Sequence, residues 1–246
     1  MMQSIKKYTC ISLISCTLIL SGCQTAPVFD EQTNKVNVTK VKPTPPEEEL
    51  IEPVVEEKTL SKAQHLFEQP NLYLVNNPPV ADEIKDRFAQ VVTLIKRDEL
   101  TRAKTILEEM TLQSPMLSGL WLKLGDIARM KREQSLAQQH YSRAISLNSN
   151  NYFARNRLAA IYRQQGEFEL SKEQYTKALM SWPGFVEGHR NLGILLDLYL
   201  GQKEQALEHY QIAQELLTLN NKKVDRKLKG WIRDLTRQLA KTEKVK

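Results

Sequence analysis

Three thiols and four imidazoles are the side chains here with the widest chemical range. Cys10, Cys16 and Cys23 all fall within the first 23 residues, so the rest of the chain can form no disulfide and no cysteine-ligated metal site. His65, His140, His189 and His209 show no metal-ligand spacing. Glu108 and Glu109 are adjacent carboxylates, but helical neighbours point ~100° apart, which suits solvated surface better than shared proton transfer. The chain contains no G-x-S-x-G, G-x-x-x-x-G-K-[ST], H-E-x-x-H or G-x-G-x-x-G. The expectation is of no catalytic residue, no metal and no cofactor, in a protein that works by binding.

The elements that could carry such a surface are constrained by composition. The chain has 246 residues, 41% hydrophobic and 26% charged, with a mean hydropathy of −0.45. These values exclude a polytopic membrane protein and a wholly disordered chain. Only nine Gly are present, which leans away from turn-rich β or dinucleotide-binding folds and towards helix. The net charge of +6 and pI near 9.1 suggest nucleic acid at first sight. The distribution of charge argues otherwise.

Lys6 and Lys7 precede an apolar run from Cys10 to Leu20, broken only by Ser and Thr. A spanning helix needs ~20 apolar residues, so this run is too short and reads as the core of a signal peptide over 1–22. Leu20-Ser21-Gly22-Cys23 resembles the lipobox of bacterial lipoproteins. That resemblance implies cleavage before Cys23 and acylation of its thiol, a palmitate-type anchor. Gln24 in place of Asp implies the outer membrane, with the body of the protein facing the periplasm. In that compartment the basic pI loses its force, and no nucleic-acid partner is expected.

Residues 23–60 form the next segment. Between 24 and 60 there are five Pro, no Gly, one aromatic residue (Phe29) and a net charge of −4. Such a stretch cannot bury enough apolar surface to offset its ordering entropy. It reads as a disordered, Pro/Glu-rich tether, roughly 110 Å long at full polyproline extension. A lead-in follows at 61–83: a short helix capped by Ser61, then a Pro/Asn loop from Pro70 to Pro79.

The body repeats itself. Windows at 84–117, 118–151, 152–185 and 186–220 share a 34-residue period. Small residues recur at position 8 (Gly125, Ala159, Gly193), position 20 (Ala103, Ala137, Ala206) and position 27 (Ala144, Ala178, Ala213). Tyr141, Tyr175 and Tyr210 recur at position 24, Leu124, Leu158 and Leu192 at position 7, and Pro115 and Pro183 at position 32. One extra residue near Gly201 shifts the second half of the last window. The first window is irregular, with Val91 and Met110 at positions usually small. His189 falls at position 4, a packing position. Small residues let helix backbones approach and large ones fill the remaining space, so the Tyr series reads as core.

This pattern resembles the tetratricopeptide repeat, W-x₂-L-G-x₂-Y…A-x₃-F…A…P, across 84–220. The resemblance implies an all-α fold: an antiparallel helical-hairpin solenoid spanning 84–221, a tetratricopeptide superhelix. Val224, Leu228, Trp231, Leu235 and Leu239 make one apolar helical stripe, so 222–246 reads as a C-terminal capping helix. That segment carries a net +7. A solvated cap explains it; contact with anionic lipid headgroups or an acidic partner, or pairing with the acidic tether, are the alternatives.

In this family the first helix of each hairpin lines a concave groove. By that resemblance the groove candidates are Leu122, Asp126, Arg129, Asn156, Arg163, Arg190 and Asp197. The family's clamp for chaperone-tail carboxylates is not reproduced, because position 9 carries Asp126, Ala160 and Ile194 where the clamp needs Asn. The implied function is a periplasmic scaffold or assembly adaptor, anchored through Cys23, that docks a protein partner in its groove. The settings the resemblance suggests are pilus or secretin assembly, a TonB/Tol-type complex, or peptidoglycan machinery. The alternative is an envelope enzyme or glycan-binding module using the repeats as a platform.

Overall fold

A computed structural model describes residues 60–75, 79–223 and 225–243. The expected signal peptide, Cys23 and the tether up to residue 59 lie outside the described residues. Every regular element among the described residues is helical. Two short lead-in helices, α1 (Lys62–Glu68) and α2 (Leu72–Val75), precede four hairpins. These are α3 (Asp82–Lys96) with α4 (Leu100–Gln113), α5 (Ser118–Met130) with α6 (Gln134–Leu147), α7 (Tyr152–Gln165) with α8 (Phe168–Ser181), and α9 (Val186–Leu198) with α10 (Lys203–Leu219). A final helix, α11 (Arg226–Glu243), closes the array.

Local chemistry sets the hairpin period. Helices α5, α7 and α9 begin 34 residues apart. Repeat position 15 adopts a left-handed backbone in all four hairpins: Asp98 (φ 61°), Arg132 (64°), Gly166 (81°) and Gly201 (66°). The following N–H returns to a carbonyl five residues back, as from Glu99 to Leu94, Glu133 to Ala128 and Glu167 to Tyr162, each at 2.9 Å. This satisfies an orphan carbonyl and reverses the chain. In the last hairpin Gln202 reaches six residues back, to Leu196 at 2.8 Å. The extra residue near Gly201 is thus absorbed in that turn. Two of the second helices stop before a proline, which disfavours helical geometry in the preceding residue: Ser114 (φ −138°, ψ 64°) before Pro115 and Trp182 (φ −151°, ψ 98°) before Pro183.

The seam inside each hairpin is a pairing of positions 8 and 24. Tyr141, Tyr175 and Tyr210 are fully or almost fully buried; Tyr141 faces Gly125, Tyr210 faces Gly193, and Tyr175 shares an apolar cluster with Ala159. In the first hairpin Val91 and Leu107, both fully buried, replace the small–Tyr pair. A larger residue on one helix is matched by a smaller one on the other, which conserves volume and explains why the irregular window still folds. Ala178 is fully buried beside Tyr152 and Phe185, with Tyr73, Leu179 and Trp182 packed around them. Ala178→Leu should overpack this seam by ~1–3 kcal/mol, lowering the urea midpoint. An unchanged midpoint would reject the packing.

The lead-in departs from the sequence expectation in two ways. The Pro/Asn stretch contains a helical turn, α2, started by Asn71, whose side-chain Oδ1 accepts from Tyr73 N–H at 3.1 Å. More important, α1 packs on α10, the far end of the array, through Ser61–Glu215 and Lys62–Glu208 contacts. Ala63 is buried there in the same apolar cluster as Leu192 and Leu216. The chain then runs back, with the Leu66 carbonyl beside Gly184 and the Tyr73 ring set edge-on 5.9 Å from Tyr152. The lead-in is therefore a strap across several repeats. The Ser61 capping box does form, with Gln64 returning the bond.

Helix α11 buries Leu228 and Leu235, and Trp231 packs 5.4 Å from Tyr210. Arg226, Lys227, Lys229, Arg233, Arg237 and Lys241 are exposed. No helix among the described residues is long and apolar enough to cross a membrane.

Candidate protein-binding groove

Three of the seven predicted groove residues are committed to bracing the array. Asp126 is buried and accepts from the Tyr141 hydroxyl at 3.0 Å, from Lys123 at 3.0 Å and from Arg157 at 3.2 Å. Arg157 belongs to the next hairpin, so this carboxylate ties α5 to α7. Its charge, together with burial, pushes the Tyr141 phenol pKa well up. Asn156 is buried and accepts from Asn191 at 3.0 Å, tying α7 to α9. Leu122 is buried apolar filling. Arg190, half-buried, reaches Asp225 at 3.3 Å and ties α9 to the start of α11. The first helices are thus joined by a polar ladder whose rungs lie 31 to 35 residues apart.

The other candidates have less to do internally. Arg129 is exposed, with no ion pair or side-chain hydrogen bond among the described residues. Arg163, one repeat later, lies half-buried over the Tyr199 ring, 5.8 Å from its centroid, and its Nη1 has no hydrogen-bond partner. Asp197 is half-buried, and burial raises its carboxyl pKa. Exposed apolar side chains flank these groups on the same helices: Met130, Phe153 and Leu198. The first helices thus carry Arg129 and Arg163 interleaved with exposed apolar side chains.

Sequence spacing missed one pair. His189 is buried, as its packing position implied, but its Nδ1 lies 2.9 Å from the Nδ1 of His209 and its Nε2 lies 2.9 Å from the Pro183 carbonyl. A carbonyl only accepts, so His189 carries its proton on Nε2 and accepts from His209 through Nδ1. Burial drives the His189 pKa down to about 4 and lowers that of His209 as well. A 20-residue separation carries no sequence signal; the two rings meet only because α9 and α10 are antiparallel. The described residues contain no group of three or more metal-donor side chains. Glu108 and Glu109 face different partners, Lys104 and Arg87.

Comparison with solved structures places the fold. The chain is similar to Pseudomonas aeruginosa PilF (TM-score 0.56, 20% identity, covering 65% of this chain and 71% of that one). It is also similar to a MamA protein, AMB-1 (TM-score 0.50, 18% identity, 66% and 85%). No protein-family model matches the chain, and none of the curated proteins matches it. The architecture is a tetratricopeptide-type superhelix, all-α and built from antiparallel hairpins. The described residues of this chain have that fold.

Proposed function

We propose that this protein is an outer-membrane lipoprotein, anchored through Cys23 and facing the periplasm, whose groove docks a protein partner during assembly of an envelope complex. The observation that carries the docking reading is the row on the first helices: Arg129 and Arg163 with uncommitted donors, beside exposed Met130, Phe153 and Leu198. Aromatic, Met and Arg side chains are those enriched where proteins meet. The anchor and the compartment rest on the lipobox-like Leu20-Ser21-Gly22-Cys23 and on Gln24. The basic face of α11 supplies a second contact, with anionic headgroups or an acidic partner.

The docking test exploits the commitments of the groove residues. Reversing Arg190 would break its pair with Asp225 and confound binding with folding. Arg129→Glu removes a side chain that makes no ion pair or side-chain hydrogen bond among the described residues. It should cut recovery of the crosslinked partner from cells about tenfold while leaving the urea midpoint unchanged. Undiminished recovery would reject the groove assignment. Incorporation of labelled palmitate into the wild type but not into Cys23→Ala checks the anchor separately.

A further inference from the structure

The repeats treat their position-24 tyrosines unequally. In the second hairpin the Tyr141 hydroxyl donates to Asp126 at 3.0 Å. In the fourth, the Tyr210 phenol is held high by burial and by the negative charge of Asp197. In the third, Tyr175 is fully buried and its hydroxyl has no partner. Position 9, Asp126 in one repeat, is Ala160 here; position 12, Asp197 in the other, is Arg163 here. The middle repeat has therefore lost both acceptors and gained a cation. The Arg163 Nη1 is also buried without a partner, and the charge of Arg163 acts directly on the Tyr175 phenol.

Two buried donors without an acceptor are a costly arrangement, since each forfeits its hydration. Ala160, at position 9 on the same helix as Arg163, is only half-buried. Resting on the docking reading above, we infer that the Arg163–Tyr175 pair in the middle repeat receives an Asp or Glu side-chain carboxylate from the docked partner. The second hairpin shows the fit, since it places the Asp126 side chain 3.0 Å from its own tyrosine hydroxyl. The partner's carboxylate stands in for the acceptor this repeat lacks.

Two measurements on the full chain test this. The first is stability: Tyr141→Phe should lower the melting temperature, because it strands the Asp126 acceptor, whereas Tyr175→Phe should leave it unchanged or raise it. An equal fall in both would show that the Tyr175 hydroxyl already has a partner and would overturn the inference. The second uses two labelled twelve-residue peptides, capped at both ends, one with Glu at every fourth position and one with Gln there. The Glu peptide should bind about tenfold more tightly, and that preference should vanish in Tyr175→Phe and in Ala160→Asp, which installs an internal acceptor. Equal binding of the two peptides, no binding of either, or a preference unaffected by both variants would overturn the carboxylate assignment while leaving the crosslinking test of the groove intact. A preference seen only with an uncapped C-terminus would overturn the side-chain assignment.

Discussion

Gly125→Ala combined with Gly193→Ala should remove most of the stability of the array. A Cβ at Gly125 would lie 2.5 and 2.6 Å from two carbons of the Tyr141 ring, and one at Gly193 would meet Tyr210 at the same distances. Neither ring can withdraw, because Tyr141 is 0% and Tyr210 1% exposed. Overpacking of this kind costs up to about 3 kcal/mol per site. The sites lie in separate hairpins and share no partner, so the losses should add to about 6 kcal/mol. A domain holds only about 5–15 kcal/mol in total. Ala159→Gly is the control: the third hairpin already accommodates a methyl there, so only about 1 kcal/mol of helix propensity is lost. Urea midpoints of the double variant and of the control decide the matter. A double variant as stable as the wild type would mean that the helices of these hairpins do not meet at positions 8 and 24.

The His189–His209 pair should make stability fall steeply with acidity. Both rings are neutral in the fold, and the His189 pKa is held down at about 4 against an ordinary 6.5, chiefly by burial. Lys62 lowers it further and Glu208 opposes, while the Pro183 carbonyl favours the protonated ring. Between pH 6.5 and 4 the unfolded chain binds more protons at this site than the folded one, so stability rises with pH across that window. Above pH 6.5 the contribution is fully present. Taking 1.36 kcal/mol per pKa unit, His189 alone should cost about 2 kcal/mol at pH 5 and roughly 3 by pH 4. His209 adds in the same direction. Urea unfolding of wild type and His189→Gln at pH 7 and pH 5 isolates this from the carboxylates, which titrate lower. Equal slopes in the two proteins would refute the assignment.

The repeat was legible because its signals are local. Small residues and tyrosines at fixed phase place the hairpins, and Gly166 and Gly201 mark two of the four left-handed turns. The other two turns use Asp98 and Arg132, which carry no glycine signal even though the backbone there is the same. Ser61 announced a helix start correctly, but a cap says nothing about where a helix docks. Nothing in Lys62–Glu68 points to α10, because the match is tertiary: Ser61 to Glu215 and Lys62 to Glu208. The groove candidates follow from the same phase. Which of them are committed internally was not legible, because Asp126 and Asn156 find their partners, Arg157 and Asn191, only once the hairpins stack. The orphan donors of the third hairpin follow from substitutions visible at positions 9 and 12, yet they become meaningful only beside the Asp126–Tyr141 bond of its neighbour.

A photoreactive amino acid placed on the groove tests the docking claim at its source. Met130 and Leu198, 41% and 69% exposed, are positions on the first helices where a probe would not disturb the polar ladder. Thr176, exposed on a second helix, is the control. Irradiated in living cells, both groove probes should yield the same discrete protein adduct, and the Thr176 probe none. Adducts from Thr176 alone, or no adduct from either groove position, would contradict the account.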